Sequence, residues 1–180
     1  MAGLFFFLSA LYIGPSSAID KFSINIFTLQ IILSISECVA YPIACFFIHN
    51  TKRKTIGIKC FAFCALFSLI TMFISNDPDC TWCAGNIAKL VLMFASRYCV
   101  AYYYGILFIY VVEIYPEKIR TIGFGSVSAI GALGALAMQR VVHFADANNQ
   151  NPLIYFITLS FLCMYFACKL PETQGQPLQV

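Results

Sequence analysis

Residues 87–113 read IAKLVLMFASRYCVAYYYGILFIYVVE, and the reading of this stretch decides the fold. It carries two cations, Lys89 at its start and Arg97 near its middle, and no acid until Glu113. About 20 mostly apolar residues cross a bilayer as a helix, so the run is long enough. Arg97 stands about ten residues in, roughly 15 Å deep at the helical rise. A charge at that depth is too costly to face lipid, so one face of the helix must look toward protein or a cavity.

Working outward, five further apolar segments surround this one. Spans are expected at about 4–19, 24–48, 56–75, 87–113, 121–144 and 152–170, with 171–180 as a cytoplasmic tail. The first is short and interrupted by Gly14-Pro15. The fifth is rich in Gly, Ser and Ala. Of the 180 residues, 61% are hydrophobic and 11% charged, and the mean hydropathy is +0.81. A soluble chain of this size cannot hide that much apolar surface. Soluble enzyme, nucleic-acid module and disordered tail are therefore excluded, and a net charge of +3 is too small to suggest a nucleic-acid partner. The expected fold is all-α, a six-helix membrane bundle solvated by the lipid bilayer. Phe5 to Ile13 followed by Ser16-Ser17-Ala18 has the outline of a signal peptide but lacks a basic leading region. A retained span is expected.

Lys and Arg in the connecting loops set the orientation. Lys52, Arg53 and Lys54 follow the second segment, Lys118 and Arg120 follow the fourth, and Lys169 precedes the tail. All lie on one side, which is expected to be cytoplasmic together with both termini. The opposite side holds Asp20 with Lys21, then Asp77, Asp79 and Asp146. Seven of the nine cysteines lie in apolar runs and should act as small hydrophobes. Cys80 and Cys83 form a lone Cys-x-x-Cys in a polar loop. It has neither the βαβ context of a redox motif nor the second ligand pair of a zinc site. No cofactor is expected.

Two charges mark the interior. Glu37 is about thirteen residues into the second span, roughly 20 Å deep, a depth similar to that of Arg97. They are expected to face each other, either as a structural ion pair or as part of a cavity that meets substrate or proton. Arg140, near the outer end of the fifth span, is placed to snorkel. The fourth span adds Tyr98, Tyr102, Tyr103, Tyr104, Phe108 and Tyr110, aromatics suited to an amphipathic organic solute. The glycines 123, 125, 131 and 134 read as close-packing positions in lipid. No catalytic constellation appears.

At the cytoplasmic edge the fourth span ends Glu113-Ile-Tyr115-Pro116, followed by Arg120 and Gly123, and the last span ends Pro171-Glu172-Thr173-Gln174-Gly175. Pro116 stops the helix and should hold Glu113 and Arg120 near each other. With these residues the chain resembles the C-terminal half of a major facilitator superfamily transporter, closest to the organic-cation and organic-anion group. Arg97-Tyr98, Tyr104, Tyr110, Glu113, Tyr115, Pro116, Arg120 and Gly123 match the pattern of its tenth helix. Glu37 matches an acid of the eighth helix, Arg53-Lys54 a basic loop, and Tyr12-Ile13-Gly14 a seventh-helix motif. The loop lacks the group's Asp and Gly, and its substrate-discriminating charge falls at Ala132.

The resemblance implies alternating-access transport of small organic solutes or ions by a plasma-membrane protein that is not an enzyme. Glu37, Arg97, Tyr98 and Tyr104 would line the substrate cavity. Arg53, Lys54, Glu113, Arg120 and Glu172 would form the cytoplasmic gate. Such carriers have twelve helices in two halves, so the other wall would come from an N-terminal half or a second copy. A sugar porter of the same superfamily, a non-transporting half-carrier and a truncated chain are the alternatives.

Overall fold

The computed structural model describes residues 1–17, 26–47, 52–74, 84–148 and 150–170. These residues form six α-helices and no strand: α1 (Ala2–Ser17), α2 (Ile26–Phe47), α3 (Arg53–Phe73), α4 (Ala84–Ile114), α5 (Arg120–Ala147) and α6 (Leu153–Lys169), with a 3₁₀ turn at Glu117–Ile119. Each observed helix overlays one expected span to within a few residues. Four stretches are long and apolar enough to cross a membrane: Phe27–Phe47, Arg53–Phe73, Gly85–Ile114 and Glu117–Ala147. The helices α1 and α6 are apolar but shorter, at 16 and 17 residues. The Asp20, Asp77 and Asp79 loops, Cys80, Cys83, Glu172 and the expected 171–180 tail lie outside the described residues.

One expectation is corrected. Gly14-Pro15 does not interrupt the first helix, which runs on to Ser17. A proline costs a helix one backbone bond and a clash with the preceding turn. Here it stands near the helix end, and the Ser16 hydroxyl donates to the Ile13 carbonyl at 2.7 Å. The longer α2 likewise continues through Pro42.

The most enclosed helix is α1, none of whose described side chains is exposed. It is apolar all round, as a helix enclosed on most sides must be, and Leu4, Phe5, Leu8 and Leu11 are essentially inaccessible. It packs on α5, α6 and α4, while α2 lies against α4, and α3 against α4 and α6. The α1–α5 contact explains Gly131 and Gly134 of the fifth span, whereas Gly125, also expected to pack closely, has nothing within 4 Å of where a side chain would begin. A Cβ at Gly134 would run into the backbone carbonyl of Phe6, and one at Gly131 would meet Ser9. Close backbone approach of this kind replaces the hydrophobic drive that lipid does not supply.

Several hydroxyls inside the helices are satisfied by their own helix. Ser36 donates to Leu33, Ser68 to Cys64, Thr71 to Phe67 and Ser160 to Phe156, all through backbone carbonyls. That is the solution a medium without water requires. The outward surface is strongly apolar: Phe27, Phe46 and Phe73 are 78%, 82% and 83% exposed. In the four membrane-length stretches only 28–39% of the most apolar window is buried within the chain. The remainder needs a nonpolar surrounding.

Candidate functional site

Glu37 stands near the middle of α2 and Arg97 near the middle of α4, and the two helices pack side by side. The pair forms as expected. The Arg97 Nε donates to Glu37 Oε1 at 2.9 Å, and Nη2 donates to the same oxygen. Arg97 is 4% exposed, whereas the Glu37 side chain is 22% exposed. The cluster therefore opens on the side of α2.

Aromatic side chains close the other sides. The guanidinium carbon of Arg97 lies 3.6 Å from the centre of the Tyr12 ring, a cation–π contact. The Tyr12 side chain also lies within interaction range of Glu37 and Tyr41. The Tyr12 ring lies 5.3 Å from Tyr104, whose hydroxyl is 3.3 Å from the Ser9 hydroxyl. Phe108 and Phe5 stand edge-on to Tyr104 at 4.9 and 6.0 Å. Helical spacing brings these groups to one place. Ser9 and Tyr12 are three residues apart, Glu37 and Tyr41 four, and Arg97 and Tyr104 seven, so each pair shares a face. Ser9, Tyr12 and Tyr41 are not among the expected site residues, although Tyr12 stands in the matched seventh-helix motif and the spacing of Tyr41 from Glu37 is a readable signal.

Tyr98 is not part of this cluster. It stacks on Tyr102 with centroids 6.2 Å apart and lies toward Cys60 and Cys99. A step of one residue turns the side chain by about 100° around a helix, so Arg97 and Tyr98 cannot look the same way. The seven described cysteines are free thiols. Cys64 is more than a small hydrophobe: its Sγ lies 3.1 Å from the Ser96 hydroxyl and 3.6 Å from the Ser160 hydroxyl. No group of metal-binding side chains gathers among the described residues.

A second charged site forms at the basic end. Arg53, the first residue of α3, is ion-paired with Glu113, next to last in α4. An acid at a helix C-terminus opposes the helix dipole, and the guanidinium offsets that. Lys54 follows, half-buried. Tyr115 and Pro116 leave the helix, and the Ile119 amide donates to the Pro116 carbonyl to start the 3₁₀ turn. Arg120 then opens α5 half-buried, its Nε without a hydrogen-bond partner. Gly123 is needed because the Tyr115 ring lies where its side chain would begin. At the far end of α5, Arg140 is exposed, beside Gln139 and His143 on an open cavity.

Comparisons with known proteins point to membrane transporters. The family model described as sugar (and other) transporter matches residues 12–180. Solute carrier family 22 member 6 of Bos taurus is 25% identical over 175 residues, covering 97% of this chain and 31% of the relative. Solute carrier family 22 member 20 of Mus musculus is 24% identical, covering 99% and 31%. Solute carrier family 22 member 16 of Bos taurus is 22% identical, covering 96% and 27%. The chain thus spans about 30% of the length of the curated relatives it matches.

Proposed function

Since the chain belongs to the sugar (and other) transporter family, we propose that it forms one six-helix wall of an alternating-access carrier for small organic solutes or ions. The observation that carries the reading is the Glu37–Arg97 pair at mid-helix, enclosed by Tyr12, Tyr41 and Tyr104 from three helices. Intramembrane ion pairs with an aromatic wall are the usual lining of a solute path. All six helices cross the bilayer in this reading. The two short ones do so with flanking residues at the interface, which a modest mismatch permits. Both termini and the Arg53–Glu113 site are cytoplasmic, following the loop cations, and the membrane is the plasma membrane.

The mechanism rests on two states. With the cytoplasmic face shut, Arg53, Lys54, Glu113, Arg120 and Glu172 cluster. With it open, they separate. An interaction made in one state only shifts the balance by its own differential free energy. Neutralising Glu113 therefore biases the carrier inward-facing. Rocking needs an opposing wall, supplied by an N-terminal half or a second copy.

Reconstituted liposomes test this. Uptake of radiolabelled organic ions is expected only when the chain is co-reconstituted with a separate six-helix half or is dimeric by crosslinking. Uptake by a strictly monomeric chain would overturn the rocking mechanism. An engineered cysteine near Gln179 should be labelled from the cytoplasmic side only.

A further inference from the structure

The seam where α3 meets α4 and α6 carries polar groups that the solute path does not use. Cys64 Sγ lies 3.1 Å from the Ser96 hydroxyl of α4 and 3.6 Å from the Ser160 hydroxyl of α6. One turn and two turns further along α3 stand Ser68 and Thr71, both buried. Beside them is a cavity of about 20 Å³, lined by Ser68, Thr71 and Ser96 and by apolar side chains that include Met93 and Phe156. One water needs roughly 10–15 Å³, so there is room for a water and none for an organic solute. Thr71 is two residues from the end of α3, and Leu153, the first residue of α6, also lines the space. The cavity therefore lies toward the end of α3 opposite its Arg53–Glu113 pair.

The hydrogens of the lining groups decide what this space can take. The Ser68 hydroxyl donates to the Cys64 carbonyl at 2.9 Å, and the Thr71 hydroxyl to the Phe67 carbonyl at 2.7 Å. Each spends its one hydrogen within its own helix, and each oxygen keeps lone pairs for a donor. Ser96 shares one bond with Cys64, and its oxygen has accepting capacity left whichever atom donates. The guest must therefore bring hydrogens or positive charge. No described acidic side chain lines the cavity, so a cation there would go uncompensated, which is costly away from bulk water. A water brings two hydrogens at a small cost in entropy.

We propose that this cavity is a binding site for one water molecule, which donates to a hydroxyl oxygen of α3, Ser68 or Thr71, and to Ser96 of α4. The water ties the two helices together away from the Glu37–Arg97 cluster. With Ser160 reaching the same thiol from α6, it makes the three helices one hydrogen-bonded unit.

Radiolytic hydroxyl labelling of the full chain in phosphatidylcholine nanodiscs tests this, because a water held inside a protein generates the radicals that oxidise its neighbours. Met93 and Phe156, at 6% and 3% exposure, line the cavity, and Met138 and Phe61, at 2% and 1%, are the matched references away from it. Met93 and Phe156 are expected to be oxidised about fivefold faster than Met138 and Phe61, respectively, as water contact requires. Ser68→Ala/Thr71→Val should bring Met93 down to about the rate of Met138, and exchange of sodium for choline in the buffer should change neither rate. Oxidation of Met93 no faster than Met138 in the wild-type chain would mean a dry cavity and overturn the proposal. So would a Met93 rate that the double variant leaves unchanged, or one that rises when sodium is removed, since a cation would then hold the site. Should the double variant fail to fold, the nearly isosteric Thr71→Val decides alone: a fall of about twofold in the Met93 rate supports the site, and an unchanged rate overturns it.

Discussion

The two arginine–glutamate pairs of this chain join the same chemical groups and do different work because of where they stand. Glu37–Arg97 bridges the middles of α2 and α4, at least ten residues from either end of each helix. Arg53–Glu113 bridges the first residue of α3 and the last turn of α4. At mid-helix neither charge has water to fall back on, so each exists only because of the other. The outer pair is enclosed to a similar degree, its side chains 11% and 20% exposed against 5% and 22%, but it stands at the helix ends, beside the loops. The first pair is suited to shaping a permanent site, and the second to reporting a conformational state.

Breaking the inner pair should have the largest effect. Arg97→Gln or Glu37→Gln alone is expected to cost about 3–5 kcal/mol, the range for stranding one member of a buried pair. The double variant Glu37→Gln/Arg97→Gln should recover most of the loss. Unfolding in mixed detergent micelles measures all three, and equal stability of single and double variants would erase the distinction between the pairs.

Exchanging the charges should sharpen it. Arg53→Glu/Glu113→Arg is expected to restore most of what either single change removes. Glu37→Arg/Arg97→Glu is not, because the guanidinium would leave the Tyr12 ring and two donors would no longer meet one oxygen. A double-mutant cycle on each pair gives the comparison directly.

Smaller effects follow at the rim and at the ring. Tyr12→Leu removes a cation–π contact and should cost about 0.5–2 kcal/mol, whereas Tyr12→Phe keeps the ring and should cost about 1 kcal/mol. Glu113→Gln removes the acid that faces a mostly enclosed Arg53 and is expected to cost about 1–3 kcal/mol, and part of that loss should be screened in molar salt because the pair borders the loops. Insensitivity of the Glu113 variant to salt would place the outer pair in the same class as the inner one.

The sequence alone determined the helices. Each membrane helix satisfies its own backbone, so a run of apolar residues in the one-dimensional string is enough to announce it. The depth of Glu37 and Arg97 followed from counting, and two opposite charges at similar depth have one economical solution, which the structure takes. Close packing at Gly131 and Gly134 was legible for the same local reason, since small residues in lipid have few other uses. What the tertiary structure decided is which helix faces which. Arg53 is sixty residues from Glu113; the resemblance assigned both to the cytoplasmic gate, but nothing in the pattern of either segment pairs them with each other. Tyr12 and Tyr41 joined the site while Tyr98 left it. Periodicity says which residues share a face, but only the packing of α1, α2 and α4 says what that face meets. Continuation of α1 past Pro15 was likewise settled by three-dimensional context.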